Sequence, residues 1–203
     1  MNYASPSRPY RMVARAAATA RTERAILNAT VALWRERSLD EVTLEQIAER
    51  AGVSARTVIR RFGSREGAIA ACLESDMAGI EMERERAREG DVAGALEVLL
   101  AHYEKDGDAV LRTLLLEEKI PIARAIAARG RAAHREWCAR VFGTFLPPPG
   151  DAARDARLDA FVAATDLFLW KLLRRDLDRS QDETRNVLAA LLEGLTGPNH
   201  PRP

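Results

Sequence analysis

Between Thr22 and Leu195 the apolar residues of this chain recur every three or four positions, and no β-branched run alternates with polar residues. This pattern predicts an all-α protein. Ile26, Thr30, Leu33 and Trp34 mark one face of a first helix, which the Ser38-Leu39-Asp40 stretch ends. Thr43 followed by Gln46 is a capping box, with Val42 and Ile47 placed as the hydrophobic staple around it. Leu44, Ile47, Ala48 and Ala51 then fall at i, i+3, i+4 and i+7, and Gly52 supplies the left-handed stop. Ser54 caps a third, short helix in which Val58 and Phe62 face inward while Arg56, Thr57, Ile59, Arg60 and Arg61 face outward. Ser64-Arg65-Glu66 opens a fourth.

Beyond it, residues 65–88 read as a long helix, apolar at Ile69, Cys72, Leu73, Met77 and Ile80, whose charged end from Glu81 to Glu89 reads as a solvated face. Helices are expected around Leu96 to Tyr103 and Val110 to Leu116, with Gly107-Asp108 breaking the chain between them. Pro121 suits the first position of a helix running toward Phe145, and Pro147-Pro148-Pro149-Gly150 ends it. The last two helices, about 154–177 and 181–196, are the most apolar, the second opened by a Ser180/Glu183 capping box. Leu158, Phe161, Val162, Thr165, Leu169 and Leu172 form one stripe, and Leu167, Phe168, Trp170 and Leu173 extend it almost all round. That surplus suits a two-fold, four-helix homodimer interface or, alternatively, burial inside one monomer.

Composition narrows the class. The chain has 203 residues, 47% hydrophobic and 30% charged, with no apolar run near the ~18 residues of a membrane span. A soluble, cytoplasmic protein without signal peptide or membrane contact is expected. Cys72 and Cys138 lie far apart, outside any metal or redox spacing. The near-neutral total hides a division: residues 1–65 carry twelve basic and six acidic side chains, whereas residues 66–203 carry nineteen basic and 24 acidic ones. The first 21 residues, with Arg8, Arg11, Arg15 and Arg21 and no acid, read as a flexible basic arm, able to follow a phosphate backbone or to be an inert tail.

Two short capped helices joined at a glycine, the second with a cationic outer face, form a helix-turn-helix pattern over about residues 43–62. Its expected partner is the major groove of double-stranded DNA. No phosphate loop, dinucleotide fingerprint or nucleophile elbow occurs, and no Glu-x-x-His pair offers metal ligands. The expectation is therefore no enzyme, no metal and no cofactor. Tyr103, His134, Trp137, Phe142, Asp166 and Trp170 combine apolar bulk with polar tips and are the candidates for a small-molecule pocket; Asp166 interrupts an apolar run, in a pocket or at a solvent-facing position.

The runs from Thr22 to Leu27, from Val42 to Ser54 and from Phe62 to Glu66 resemble the DNA-binding domain of the TetR (tetracycline repressor) family. The resemblance covers about residues 20–73. It implies a dimeric one-component transcription factor, usually a repressor, released from a palindromic operator when its helical C-terminal domain binds an effector; a regulator without an effector is the alternative. The implied domains are the helix-turn-helix domain at 22–73, an effector-binding and dimerisation domain at 74–197, and a frayed tail at 198–203. The resemblance also implies that Thr43 and Ser54 touch phosphate, that Arg56, Thr57 and Arg60 read base edges, and that Arg61 and Arg65 lie on the DNA backbone. Ile59 stands where the family commonly has an aromatic residue, and leaves two readings: contact with a thymine methyl, or packing.

Overall fold

The computed structural model describes residues 8–197, and among them every regular element is helical. The helices are α1 (Arg8–Glu36), α2 (Leu44–Arg50), α3 (Ala55–Phe62), α4 (Arg65–Arg84), α5 (Val92–Leu114), α6 (Pro121–Val141), α7 (Arg154–Ala164), α8 (Leu167–Lys171) and α9 (Gln181–Thr196). A 3₁₀ turn, Gly143–Phe145, follows α6, and a π-helical turn, Leu172–Asp176, follows α8. The chain divides into two compact units after Met77. The expected frayed tail and residues 1–7 of the expected arm lie outside the described residues.

The rest of that arm is corrected. Residues 8–21 are the first turns of α1, because Ala16, Ala17, Ala18 and Ala20 have the strongest intrinsic helix preference, and the Thr22 hydroxyl bonds back to the Ala18 carbonyl at 3.0 Å. The N-terminal unit then closes on Ile26, Leu33, Val42, Ile47, Ala48, Val58 and Ala68, all buried. Local chemistry sets its turns. In the capping box at α2 the Gln46 N–H donates to the Thr43 hydroxyl at 3.2 Å and the Thr43 N–H to the Gln46 side-chain oxygen at 3.0 Å. At the other end Gly52 takes φ +66°. The Val53 N–H reaches the Ala48 carbonyl at 2.9 Å and the Gly52 N–H that of Glu49 at 3.1 Å, the paired bonds of a Schellman stop.

In the C-terminal unit the core is aromatic and leucine-rich. Phe142 stacks on Phe161 with ring centroids 4.5 Å apart, and Trp170, Leu99, Leu188 and Leu192 are wholly enclosed. Here three expectations give way. Gly107-Asp108 does not break the chain: α5 passes through both, and Gly107 is a notch against which the Trp170 ring lies, so close that a Cβ there would stand 2.6 Å from its Cζ3. The tryptophan is held by its N–H donating to Glu104 at 2.8 Å and by the Arg175 guanidinium 4.6 Å over its ring. Arg174 and Arg175 pair in bidentate fashion with Glu104 and Asp108, one turn apart on α5, and hold both carboxyls below their ordinary values.

The expected continuous helix over 154–177 is interrupted at Thr165-Asp166. Both side chains bond to nearby backbone instead of leaving it to the helix: Thr165 to the Phe161 carbonyl at 2.7 Å, and Asp166 as acceptor from the Phe168 N–H at 2.8 Å. Asp166 is thus the N-cap of α8, half-buried, which answers why an acid interrupts the apolar run. Finally, the charged end of α4 is not simply solvated. Arg84 and Ala87 are buried, and the Arg84 carbonyl accepts from Trp137 Nε1 at 3.2 Å.

Candidate nucleic-acid interface and a buried polar cluster

The α2–α3 pair presents α3 outward in a definite way. Val58 is fully enclosed and Phe62 is half-buried against the same core, which turns Arg56, Ile59 and Arg60 to solvent. Arg56 and Arg60 lie one turn apart, and among the described residues neither makes an ion pair or hydrogen bond. No acid stands in the first turn of α3, and Ser54 caps it, accepting the Thr57 N–H at 3.2 Å with its hydroxyl 3.0 Å from that of Thr57. Two free guanidiniums on one short face beside a positive helix end make a surface for an anionic, hydrogen-bonding partner. Ile59 is 47% exposed between them, so about half of it faces solvent on the same surface.

The other two arginines are occupied. Arg61 donates to the Thr19 hydroxyl at 3.1 Å and pairs with Glu23 at 3.5 Å, so it fastens α3 to the middle of α1. Arg65 gives its donors to the carbonyls of Leu39 and Val42 and to Glu66. It pins the connection between α1 and α2 to the start of α4. This geometry gives Arg65 a positioning task inside the domain.

Of the six expected pocket residues, Tyr103, His134, Trp137, Phe142 and Trp170 are core residues. Three of them gather round Arg84. His134 Nδ1 is 3.4 Å from an Arg84 amine, the Trp137 ring lies 5.3 Å under the guanidinium, and the Tyr103 phenol feels its charge. Thr165 joins them from the helix break, its hydroxyl 3.1 Å from His134 Nε2 and 3.4 Å from the Cys138 sulfur, its carbonyl accepting from the Tyr103 hydroxyl at 2.9 Å. Phe142 and Trp170 extend this cluster through ring contacts with Trp137 and Tyr103. Arg84, Cys138 and Thr165 were missed in the sequence. A signal for Arg84 was present: Leu73, Met77, Ile80, Arg84 and Ala87 continue one stripe at i, i+4, i+7, i+11 and i+14.

Burial, and then the neighbouring Arg84 charge, push His134 down to about 4. Burial also pushes the Cys138 thiol up to about 11, so it stays protonated. The histidine's effect on stability has a definite sign. Unfolded, His134 takes a proton near 6.5, whereas in the fold it resists until about 4, so the unfolded state binds more protons between these values. Folding stability is expected to fall as pH drops from 6.5 toward 4, by up to about 3 kcal/mol from this residue. Denaturant titrations of the wild type and His134→Gln over that range check this; parallel curves for the two proteins would contradict it.

On the surface, an open depression is lined by Asp159, Val162, Ala163, Asp166, Phe168, Leu169 and Leu172. Within it Phe168 is 60% exposed and Leu172 is exposed too, and Leu177, Val187 and Leu191 are exposed on the segment after the π-helical turn and on α9. Among the described residues no helix is long and apolar enough to cross a membrane, and no group of three His, Cys, Asp or Glu side chains gathers as metal ligands would.

Residues 26–72 match the family model described as bacterial regulatory proteins, tetR family. No curated protein matches the chain. Among solved structures, the crystal structure of a TetR-family regulator from Streptomyces coelicolor A3 is similar over 97% of this chain and 100% of its own, at 20% identity and a TM-score of 0.47.

Proposed function

We propose that this chain, whose residues 26–72 match the family model described as bacterial regulatory proteins, tetR family, is a DNA-binding regulator of that family that represses transcription as a homodimer and answers to a small molecule. The observation that carries the DNA reading is the pair of unpartnered guanidiniums, Arg56 and Arg60, on the exposed face of α3. In this reading Thr57 and Ile59 join them at base edges, Ile59 against a thymine methyl, while Thr43 and Ser54 offer hydroxyls to phosphate beside the helix ends they cap. Arg61, half-buried and tied to α1, lies at the edge of this surface.

Support for the homodimer comes from apolar side chains left in water. Phe168, Leu172, Val187 and Leu191 belong to the elements that follow α7 and to α9, and burying them against a two-fold copy would remove that exposure. Two-fold symmetry would set the reading helices ~34 Å apart, one turn of B-DNA, and so call for a palindromic operator. Phe168→Glu combined with Leu191→Glu is expected to halve the mass in solution and to weaken operator binding by at least about a hundredfold, since each half-site would then be bound alone. Light scattering reads the first and mobility shift the second; an unchanged mass would place the dimer elsewhere.

The effector reading rests on the polar cluster around Arg84, a set of hydrogen-bonding groups enclosed among aromatic rings. The direct experiment for the whole proposal is a mobility shift with palindromic DNA from the protein's own promoter region. Selective binding is expected, and equal affinity for scrambled DNA would overturn the regulator reading.

A further inference from the structure

Arg84 is nine-tenths buried in the C-terminal unit, and among the described residues it has no carboxylate partner. Its Nε meets no acceptor at all. The groups in contact with the guanidinium are neutral, His134 at 3.4 Å, the face of Trp137 at 5.3 Å and the phenol of Tyr103, and the Asp166 carboxylate, whose charge also reaches Tyr103 and Cys138, makes no ion pair with it. The carbonyls at the end of α4, which could partly balance its charge, are taken by a second cation, for Arg140 donates to the Arg84 carbonyl at 3.0 Å and to that of Ala87 at 2.9 Å. A buried cation without a counter-charge is costly, and proteins that keep one pair it with an anion.

We propose that Arg84 is the anchor of a binding site for a small monocarboxylate with an apolar body, and that this anion is the effector. The proposal rests on the effector reading above and adds the ligand's class to it. A guanidinium holds a carboxylate through two parallel N–H donors, and Nε with one terminal amine forms such a fork. One free guanidinium suits one negative charge; a phosphate dianion would lack a second uncommitted cation, since Arg140 is spent on the Arg84 and Ala87 carbonyls and His134 is held neutral. Trp137 and Phe142, packed edge to face, would part to take the apolar body, and the Tyr103 and Thr165 hydroxyls, bonded to the Thr165 carbonyl and beside His134, are the neighbouring polar groups.

The test uses the full chain without DNA, titrated calorimetrically with acetate, hexanoate, decanoate, benzoate and cinnamate, each against its own primary amide. At least one carboxylate is expected to bind about tenfold or more tighter than its amide. Arg84→Met should abolish that preference, Arg84→Lys should keep part of it, and Arg84→Met should itself raise the melting temperature of the ligand-free protein. If Arg84→Met does not fold, the lysine variant and Tyr103→Phe carry the comparison. Carboxylates that never bind better than their amides, or a preference unchanged in Arg84→Met and Arg84→Lys, would overturn the site. Mobility shifts separate this from the reading beneath it: a carboxylate that binds at Arg84 and leaves DNA affinity unchanged upholds the site and overturns its role as effector. A protein that binds no DNA selectively overturns the regulator reading while the calorimetry stands.

Discussion

Replacing Arg56 and Arg60 by alanine is expected to remove sequence-selective DNA binding while leaving the fold intact. Both side chains are exposed and, among the described residues, make no hydrogen bond or ion pair, so neither substitution empties a core position or strands a buried group. Helix propensity works in the same direction, since arginine and alanine both favour helix. A bidentate contact from arginine to a guanine edge is worth about 1–3 kcal/mol of discrimination. Each single variant should therefore lose roughly five- to 150-fold in affinity for the operator, and the double variant more than either. Against random DNA the loss should be smaller, since only the sequence-independent part of the charge is removed there.

The useful contrast is Arg65→Met. Its guanidinium ties the Leu39 and Val42 carbonyls to the start of α4, so the variant should lose thermal stability and operator and random binding together. Melting curves and mobility shifts on the three proteins separate the cases. A normal melting curve for Arg65→Met with weakened binding would return Arg65 to the DNA backbone. Equal losses on operator and random DNA for Arg56→Ala and Arg60→Ala would take base reading away from them.

What could be read in advance follows from how far apart the partners lie. The capping box at Thr43, the stop at Gly52 and the cap at Ser54 are made by bonds spanning a few residues, and the sequence displays both partners side by side. The same holds for Ser180 with Glu183. The positioning bonds of Arg65 are not legible, because its partners stand 23 and 26 residues upstream and a basic residue at a helix start looks the same whether it faces phosphate or carbonyl. Arg84 met His134 across 50 residues, inside a run of charges that conceals its place on the apolar stripe. The break at Thr165-Asp166 was legible in principle, since both residues bond readily to nearby backbone, but the apolar periodicity passes straight through it and outweighs a single aspartate.

Gly107 gives the sharpest test of the C-terminal packing, because two general effects of opposite sign meet there. In an ordinary helix interior, Gly→Ala stabilises by about 1 kcal/mol. Here the added methyl would stand 2.6 Å from Trp170 Cζ3 and 2.7 Å from Cη2, inside the contact distance of carbon atoms. The ring cannot easily withdraw, being fully buried, hydrogen-bonded to Glu104 and covered by Arg175. Overpacking of this kind costs about 1–3 kcal/mol, so Gly107→Ala should be destabilising in the wild type despite its better propensity. Trp170→Ala alone should cost about 3–5 kcal/mol, as a large aromatic is lost and a cavity left. In that background the obstacle is gone, and Gly107→Ala should become stabilising by its helix preference of about 1 kcal/mol. A double-mutant cycle by denaturant unfolding reads this change of sign directly. If Gly107→Ala has the same effect with and without the Trp170 ring, the notch is not what holds the helix break and π-helical turn against α5, and the Arg174–Glu104 and Arg175–Asp108 pairs must do so alone.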